Sequence, residues 1–232
     1  MHSSSMLRME WFVQNYLQSC APVSVLDIGS YDVNGSYKTF FTDTRFSYTG
    51  LDMTQGPNVD VVAENPYDWS MLEDESFDVI ISGQAFEHTE FFWLTLSEII
   101  RVLKRGGLIC IVAPRGFERH GYPVDCYRFD VDGMIALAKY GNLNPLHAST
   151  NLAPEGAPVE WYSEKDADAI LVAQKPENWK GMLNPKEYKF TQNNYENLET
   201  GFIPFEMQKY PRSKKKSKVQ KIIDTFAYFR FS

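Results

Sequence analysis

Apolar positions along the chain follow two spacings. Residues 6–19 (MLRMEWFVQNYLQS) carry Leu7, Trp11, Val13, Tyr16 and Leu17 at helical spacing, which predicts an amphipathic helix closed off before Pro22. VSVLDI (23–28) is a short β-branched run, the pattern of a strand covered on both faces. Turn residues follow in GSYDVNGSY, and a helix is expected from about Ser36, with Tyr37, Phe40 and Phe41 inward. FSYTGLD (46–52), VDVVA (59–63) and FDVIIS (77–82, entered through EDES) read as the next three strands. Residues 90–104 predict a long helix with Phe91, Leu94, Ile99, Ile100 and Leu103 inward, stopped by Gly106-Gly107. LICIVAP (108–114) is a fifth strand, 131–142 a helix ended by Gly141, and 144–150 and 168–175 the last two strands.

Strands alternating with helices predict an α/β fold: a doubly wound, mostly parallel, seven-stranded sheet with right-handed crossovers. The stretch APEGAP (153–158) is too short for a good crossover helix, so the last strand is expected antiparallel. The chain divides into an N-terminal helix (1–22), one sheet domain (23–175) and a C-terminal extension (176–232) where regular patterning fades. A length of 232 residues with 44% apolar and 15% aromatic content supports a sizeable core and excludes wholesale disorder.

Charge and cysteine content narrow the classes further. Residues 206–232 hold eight Lys/Arg against two Asp/Glu, so with a formal total of −7 the first 205 residues carry −13. An acidic body argues against a nucleic-acid-binding surface. Cys20, Cys110 and Cys126 are scattered and form no CxxC, which leaves a reducing, cytoplasmic setting as the default. No run reaches the ~18 apolar residues of a membrane span, and no secretory signal is expected from the start of the chain.

The chemistry is concentrated at the end of the first strand. Open parallel sheets bind ligands at the carboxyl ends of their strands, and Asp27-Ile28-Gly29 stands there. The phosphate fingerprint G-x-G-x-x-G is incomplete, because Ser30 follows Gly29 and the next glycine is Gly35. Asp27 would repel a phosphate and suit an amino group. Asp52, at the end of the second strand, is placed to hold both hydroxyls of a ribose. An adenosine ribose with a zwitterionic tail and no phosphate describes S-adenosylmethionine.

On these residues the chain resembles the seven-stranded, class I (Rossmann-like, type-11-like) S-adenosylmethionine-dependent methyltransferases. VLDIGSYDVNG looks like the family's first motif, YTGLDM its second, SFDVIISGQAFEH its fourth-strand motif, and IIRVLKRGGLICIVAP its helix, Gly-Gly turn and fifth strand. The likeness covers about residues 23–175. It implies S-adenosyl-L-methionine as cofactor. Asp27, Gly29 and Ser30 would lie at the methionine tail, Asp52 at the ribose and Met53 against the adenine. Glu64 and Asn65 would touch the adenine edge, and Gln84 would lie along the cofactor.

Methyl transfer to an aliphatic hydroxyl needs a positioned base or a metal, and histidine is the natural base. His2 and His147 are poor candidates by position. His88, in AFEHTE, follows the fourth strand and faces the crevice. His120 and Asp125 lie in the polar, aromatic segment 114–133, either of them placed to take the proton. Tyr122, Tyr127 and Arg128 could bind acceptor hydroxyls, with Trp161 and Tyr162 as further aromatic platforms. The opposing reading is a salt-bridged surface loop with Arg128 tied to Asp125. Asp125, Asp130 and Asp132 have no diagnostic metal spacing, and no metal is predicted. The run HGYPVDCYRF resembles a subset of these enzymes from polysaccharide and surface-glycan biosynthesis, which implies a sugar or glycan hydroxyl as acceptor.

The expected function is therefore O-methyl transfer to a sugar hydroxyl. The alternatives are a small-molecule N- or phenolic O-methyltransferase and a catalytically silent, cofactor-binding accessory subunit. The basic run 213–218 and the amphipathic stretch 219–231 read as a solvated linker, a segment grazing an anionic membrane surface, or a docking element for the acidic body. The sequence does not fix the oligomeric state.

Overall fold

In the computed structural model the described residues are 3–19, 21–121, 123–150 and 167–188. Seven strands are present among the described residues: β1 (Val23–Ile28), β2 (Phe46–Asp52), β3 (Val61–Val62), β4 (Phe77–Gly83), β5 (Leu103–Gly116), β6 (Asn144–Thr150) and β7 (Ala167–Gln174). They form one sheet in the order β3-β2-β1-β4-β5-β7-β6. β1, β2, β3, β4 and β5 run parallel, and β7 is antiparallel to both β5 and β6. The fold is the expected mixed α/β sheet. Strand order reverses between β1 and β4, and there the crevice at the carboxyl edge opens.

Each face is covered differently. Helix α1 (Ser3–Tyr16) and a single-turn 3-10 helix (Tyr37–Phe40) bury Val25, Val79, Ile81, Cys110, Val112, Ile170 and Val172. Helices α2 (Phe92–Val102) and α3 (Val131–Tyr140) bury Leu26, Ile80, Ile109, Ile111, Ala169 and Leu171 on the other face. Alternate side chains of a strand point to opposite faces, so the continuous apolar runs of β1, β4, β5 and β7 are what two covered faces require. Each large side chain buried there, such as Phe12 or Leu96, is worth about 1.5–3 kcal/mol.

Several predicted elements differ in the fold. The helix expected from Ser36 is only the 3-10 turn, capped by the Ser36 hydroxyl accepting from the Lys38 amide. Helix α1 turns Ser4, Ser5, Arg8, Met9 and Phe12 inward, while Leu7, Trp11 and Val13 are only half-buried. Helix α2 ends at Val102, and Phe91 and Leu94 face solvent. Leu103 already belongs to β5, so Gly106-Gly107 interrupt a strand rather than stop a helix. Gly106 has φ +75°, and the pairing of β4 with β5 slips a register beside it. His2, Cys20, Tyr122, the 153–158 connection, Trp161, Tyr162 and residues 189–232, with the basic run and the amphipathic helix expected after it, lie outside the described residues. Among the described residues no helix is long and apolar enough to cross a membrane.

Candidate functional site

The glycine loop is built from the end of β1. Gly29 has φ +75°, and a Cβ there would stand 2.7 Å from the Ala85 Cβ, so only glycine lets the loop lie against the end of β4. The amides of Gly29 and Ser30 donate to the Leu51 carbonyl at 2.9 and 3.1 Å, which pins the loop to β2. Asp52 completes the fastening. Its carboxylate accepts from the Tyr31 amide at 3.1 Å and the Thr54 amide at 3.3 Å.

Asp27 and Asp52 therefore share one edge on neighbouring strands, but their surroundings differ. Asp52 is half-buried, and each oxygen accepts one amide, which leaves acceptor capacity for two ribose hydroxyls. Asp27 is 2% exposed and accepts from the Tyr48 hydroxyl. Burial pushes its carboxyl up from 3.8 to about 7, the Tyr48 hydrogen bond opposing and the Asp52 charge adding to the rise. A group so enclosed sits beneath the loop rather than in the crevice. Met53, Glu64 and Asn65 are exposed on the β2–β3 side, and the Asn65 side chain accepts from the Tyr67 amide at 3.0 Å. These residues, with the open lone pairs of Asp52, fit a ribose and an adenine better than a pyrophosphate. Tyr31 to Gly35 fold back instead of cradling a phosphate, with Asp32 accepting from the Gly35 amide at 2.7 Å.

Gln84 sits just past β4 with φ +59°, a strained backbone for a non-glycine residue. Its side chain donates to Asp168 of β7 at 3.0 Å and reaches Ser5 at 3.5 Å. Asp168 also accepts from the Ser4 hydroxyl, and Ser5 bonds the hydroxyl of fully buried Tyr37. Arg8, fully buried, joins this network through the charge of Asp168 and donates to the Ser4 carbonyl at 2.8 Å. Gln84 is thus directed toward α1 and β7. The buried Ser4, Ser5, Arg8 and Asp168 went unnoticed in the sequence, where their helix and strand show only apolar spacing.

The second cluster follows β4. A 3-10 turn (Phe86–His88) places Glu87 at 0% exposure, and no other described residue donates to its two carboxylate oxygens. Burial raises its pKa to about 8, partly offset by its own amide and by the Arg128 charge. The backbone oxygen of Glu87 accepts from the Cys126 amide at 2.7 Å and so docks the loop after β5. That loop delivers His120, whose ring meets His88 edge-on with centroids 5.0 Å apart. Burial lowers the His88 pKa, so the ring is neutral near pH 7.

Asp125 and Arg128 have a different place from the expected one. Arg128 donates to both oxygens of Asp125 at 2.5 and 2.8 Å, and to the Phe117 and Glu118 carbonyls. Asp125 also accepts from the His120 amide at 2.7 Å. The guanidinium holds the Asp125 carboxyl far below the ordinary carboxylate range, which disqualifies it as a proton acceptor. The pair instead fixes the backbone that carries His120. Tyr127 is packed edge-on against Phe92 at 4.8 Å, and its hydroxyl donates to the Glu90 carbonyl at 2.8 Å, so it braces the loop. His147 packs on Trp11 and bonds Ser149 at 2.7 Å, away from this cluster.

Residues 26–111 match the family model described as a methyltransferase domain. The chain carries a methyltransferase domain. The match runs from β1 into β5 and so spans the glycine loop, Asp52 and the Glu87-His88 turn, and S-adenosylmethionine is the cofactor of such a domain. No curated protein is significantly similar in sequence. Among solved structures, a Haloferax volcanii methyltransferase in complex with the Trm112 methyltransferase activator is similar, at 18% identity and TM-score 0.56, over 77% of this chain and 91% of that one. The cyclase SpnF matches at 16% identity and TM-score 0.55, over 74% and 81%. A Burkholderia thailandensis 1,6-didemethyltoxoflavin-N1-methyltransferase with bound S-adenosylhomocysteine matches at 17% identity and TM-score 0.55, over 74% and 78%. At these identities the likeness establishes the fold.

Proposed function

We propose that the methyltransferase domain transfers the methyl group of S-adenosylmethionine to a hydroxyl of a sugar or glycan. The observation that carries this reading is the imidazole–carboxylate cluster of Glu87, His88 and His120 at the carboxyl end of β4, next to the glycine loop. An amine acceptor needs little help with its proton, whereas an aliphatic hydroxyl needs a group that removes it or lowers its pKa. In this reading Asp52 holds the ribose, Gly29 and Ser30 flank the methionine tail, and Met53, Glu64 and Asn65 border the adenine. Asp27 shapes the loop from below. Gln84 ties the end of β4 to α1 and β7. The acceptor oxygen bonds to the methyl carbon, and the carbon–sulfur bond breaks with its electron pair on sulfur. The hydroxyl proton is managed by the cluster. Likeness of the HGYPVDCYRF loop to glycan-modifying enzymes supports the sugar as acceptor. Setting and assembly are part of the same proposal: a cytoplasmic enzyme with no nucleic-acid partner.

A second reading rests on the similar structures. SpnF is a cyclase on this fold, and the Haloferax protein is in complex with a methyltransferase activator, so a small-molecule N- or O-methyltransferase or a partner-dependent subunit is the rival. Two measurements separate them. Asp52→Ala is expected to weaken S-adenosylhomocysteine binding about 100-fold by calorimetry, the loss of two charge-assisted hydrogen bonds. Unchanged affinity removes Asp52 from the ribose. Mass spectrometry of methyl transfer to nucleotide sugars, oligosaccharides, amines and phenols should show product on sugars, and product on amines alone rejects the sugar reading.

A further inference from the structure

One feature of the acceptor cluster is chemically incomplete as it stands. Glu87 Oε1 lies 3.6 Å from His88 Nε2. The Nδ1 of His88 is 2.6 Å from the Val124 carbonyl oxygen, which can only accept, so the ring proton belongs on Nδ1 and Nε2 is the lone-pair nitrogen. His120 repeats this arrangement: its Nδ1 is 2.9 Å from the Glu118 carbonyl, which again makes Nε2 the lone-pair atom. Glu87 is wholly out of water there, and its two carboxyl oxygens accept from no other described residue. Ligand atoms of Glu87, His88 and His120 all lie within 4.8 Å of one another.

We propose that Glu87, His88 and His120 form a binding site for one divalent cation of the zinc class. Two imidazoles and one carboxylate are a donor set for borderline transition metals, and three protein ligands leave an open position. Ligands held at ~2.1 Å around a tetrahedral centre stand about 3.4 Å apart, close to the spacing of the Glu87 and His88 atoms. Both imidazoles already have the backbone carbonyl at Nδ1 that orients a ligating histidine. The backbone supports are independent of any cation: Cys126 docks on Glu87, and the Asp125–Arg128 pair holds the His120 amide. The site deepens the hydroxyl-acceptor reading and rests on it for its purpose. An acceptor oxygen in the open position has its pKa lowered, so its proton leaves to water and no side chain of ordinary basicity has to take it.

The test is a titration of the metal-free, full-length chain with Co²⁺, followed by its visible d–d absorption, with Zn²⁺ as competitor and Mg²⁺ as the hard-cation control. One equivalent of Co²⁺ is expected to bind and Zn²⁺ to displace it, with no response to Mg²⁺. Glu87→Gln and His120→Ala should each weaken Co²⁺ at least about tenfold. Cys126→Ser, which alters an exposed thiol beside the cluster, should leave it unchanged. Glu87→Gln keeps the side-chain shape and replaces the ionisable carboxyl with a neutral amide, so it folds, and far-ultraviolet dichroism checks that. No saturable absorption, or affinities in Glu87→Gln and His120→Ala equal to wild type, overturns the site. S-adenosylhomocysteine binding is measured on the same samples. Cofactor binding without Co²⁺ binding sinks the cation alone, whereas loss of cofactor binding in the unaltered chain sinks the methyltransferase reading whatever Co²⁺ does.

Discussion

The two edges of the sheet treat buried charge in opposite ways. At the amino edge, Lys175 is 1% exposed and its ammonium has three acceptors: the Ile100 carbonyl at 2.9 Å, the Leu103 carbonyl at 2.7 Å and Glu75 at 3.2 Å. Arg101 nearby reaches Glu98, Asp74 and the carbonyls of Leu72 and Trp69. Asp78 takes the amide and hydroxyl of Ser24 together with Lys104. At the carboxyl edge, Asp27 and Glu87 are as deeply buried, yet one has a single hydroxyl donor and the other has none from any described residue. Burying a charge costs several kcal/mol unless it is paired. The amino edge meets that requirement within the chain and serves stability. The carboxyl edge leaves it unmet, and the strained backbone of Gln84 stands at the same edge, which is where a ligand would complete the set.

That contrast has its largest expected consequence in the pH dependence of stability. Asp27 titrates near 7 in the fold against 3.8 in the unfolded chain, so between these values the folded state holds a proton that the unfolded state has released. Its contribution is complete below about pH 4 and is lost as pH rises through 7. At 1.36 kcal/mol per unit the swing is at most about 4 kcal/mol. Denaturant unfolding at pH 5 and pH 8 should show Asp27→Asn gaining on wild type as the pH rises. A difference between the two proteins that does not change with pH would mean that Asp27 is solvated in solution and that the edge carries no such cost.

Legibility from sequence divides along the same line. Strands β1, β4, β5 and β7 were readable because burial on both faces writes a continuous apolar run. The fold class followed from their alternation with helices, and the antiparallel end from the short APEGAP stretch (153–158) before the last strand. Helical reading was poorer. Phe91 and Leu94 have the right spacing for an inward face but flank the start of α2, outside the packed stripe of Leu96, Ile99 and Ile100. The helix expected after Ser36 had room for only one turn before the chain descends into β2. In the site, Asp27, Gly29 and Asp52 stood out because strand ends fix their position. Glu87 did not: nothing in apolar spacing says that a carboxylate in a turn will be fully enclosed, and its neighbour His88 drew the attention. Ser4, Ser5, Arg8 and Asp168 were invisible for a related reason, since a buried polar network between distant segments has no local periodicity.

The amino edge supplies the next effect in size. Lys175→Met keeps the aliphatic stem but strands the Ile100 and Leu103 carbonyls and leaves Glu75 without this cation, at a cost of about 3 kcal/mol. The matching neutralisation at the other edge, Glu87→Gln, should be neutral or stabilising in the metal-free chain. Chemical denaturation of the pair reads the sign directly. Two losses of equal size would erase the distinction between the edges.

Tyr48→Phe gives the smallest and most pointed result. The Tyr48 hydroxyl donates to Asp27 and accepts from Asn58 at 3.0 Å, so it is the one side chain among the described residues that eases the burial of that carboxylate. A hydrogen bond to a neutral acid is worth about 1 kcal/mol and one to a carboxylate about 2 kcal/mol. Removing it should therefore cost about 1 kcal/mol at pH 5, where Asp27 is protonated, and about 2 kcal/mol at pH 8, where it is charged. The same substitution should move the Asp27 titration upward, because the hydrogen bond favours the charged form. A loss independent of pH would assign Tyr48 to packing against Phe41, 5.8 Å away between ring centroids, and detach it from the carboxylate. A loss that grows with pH ties the hydroxyl to the charge, and with it the claim that this edge holds a carboxylate the chain only half satisfies.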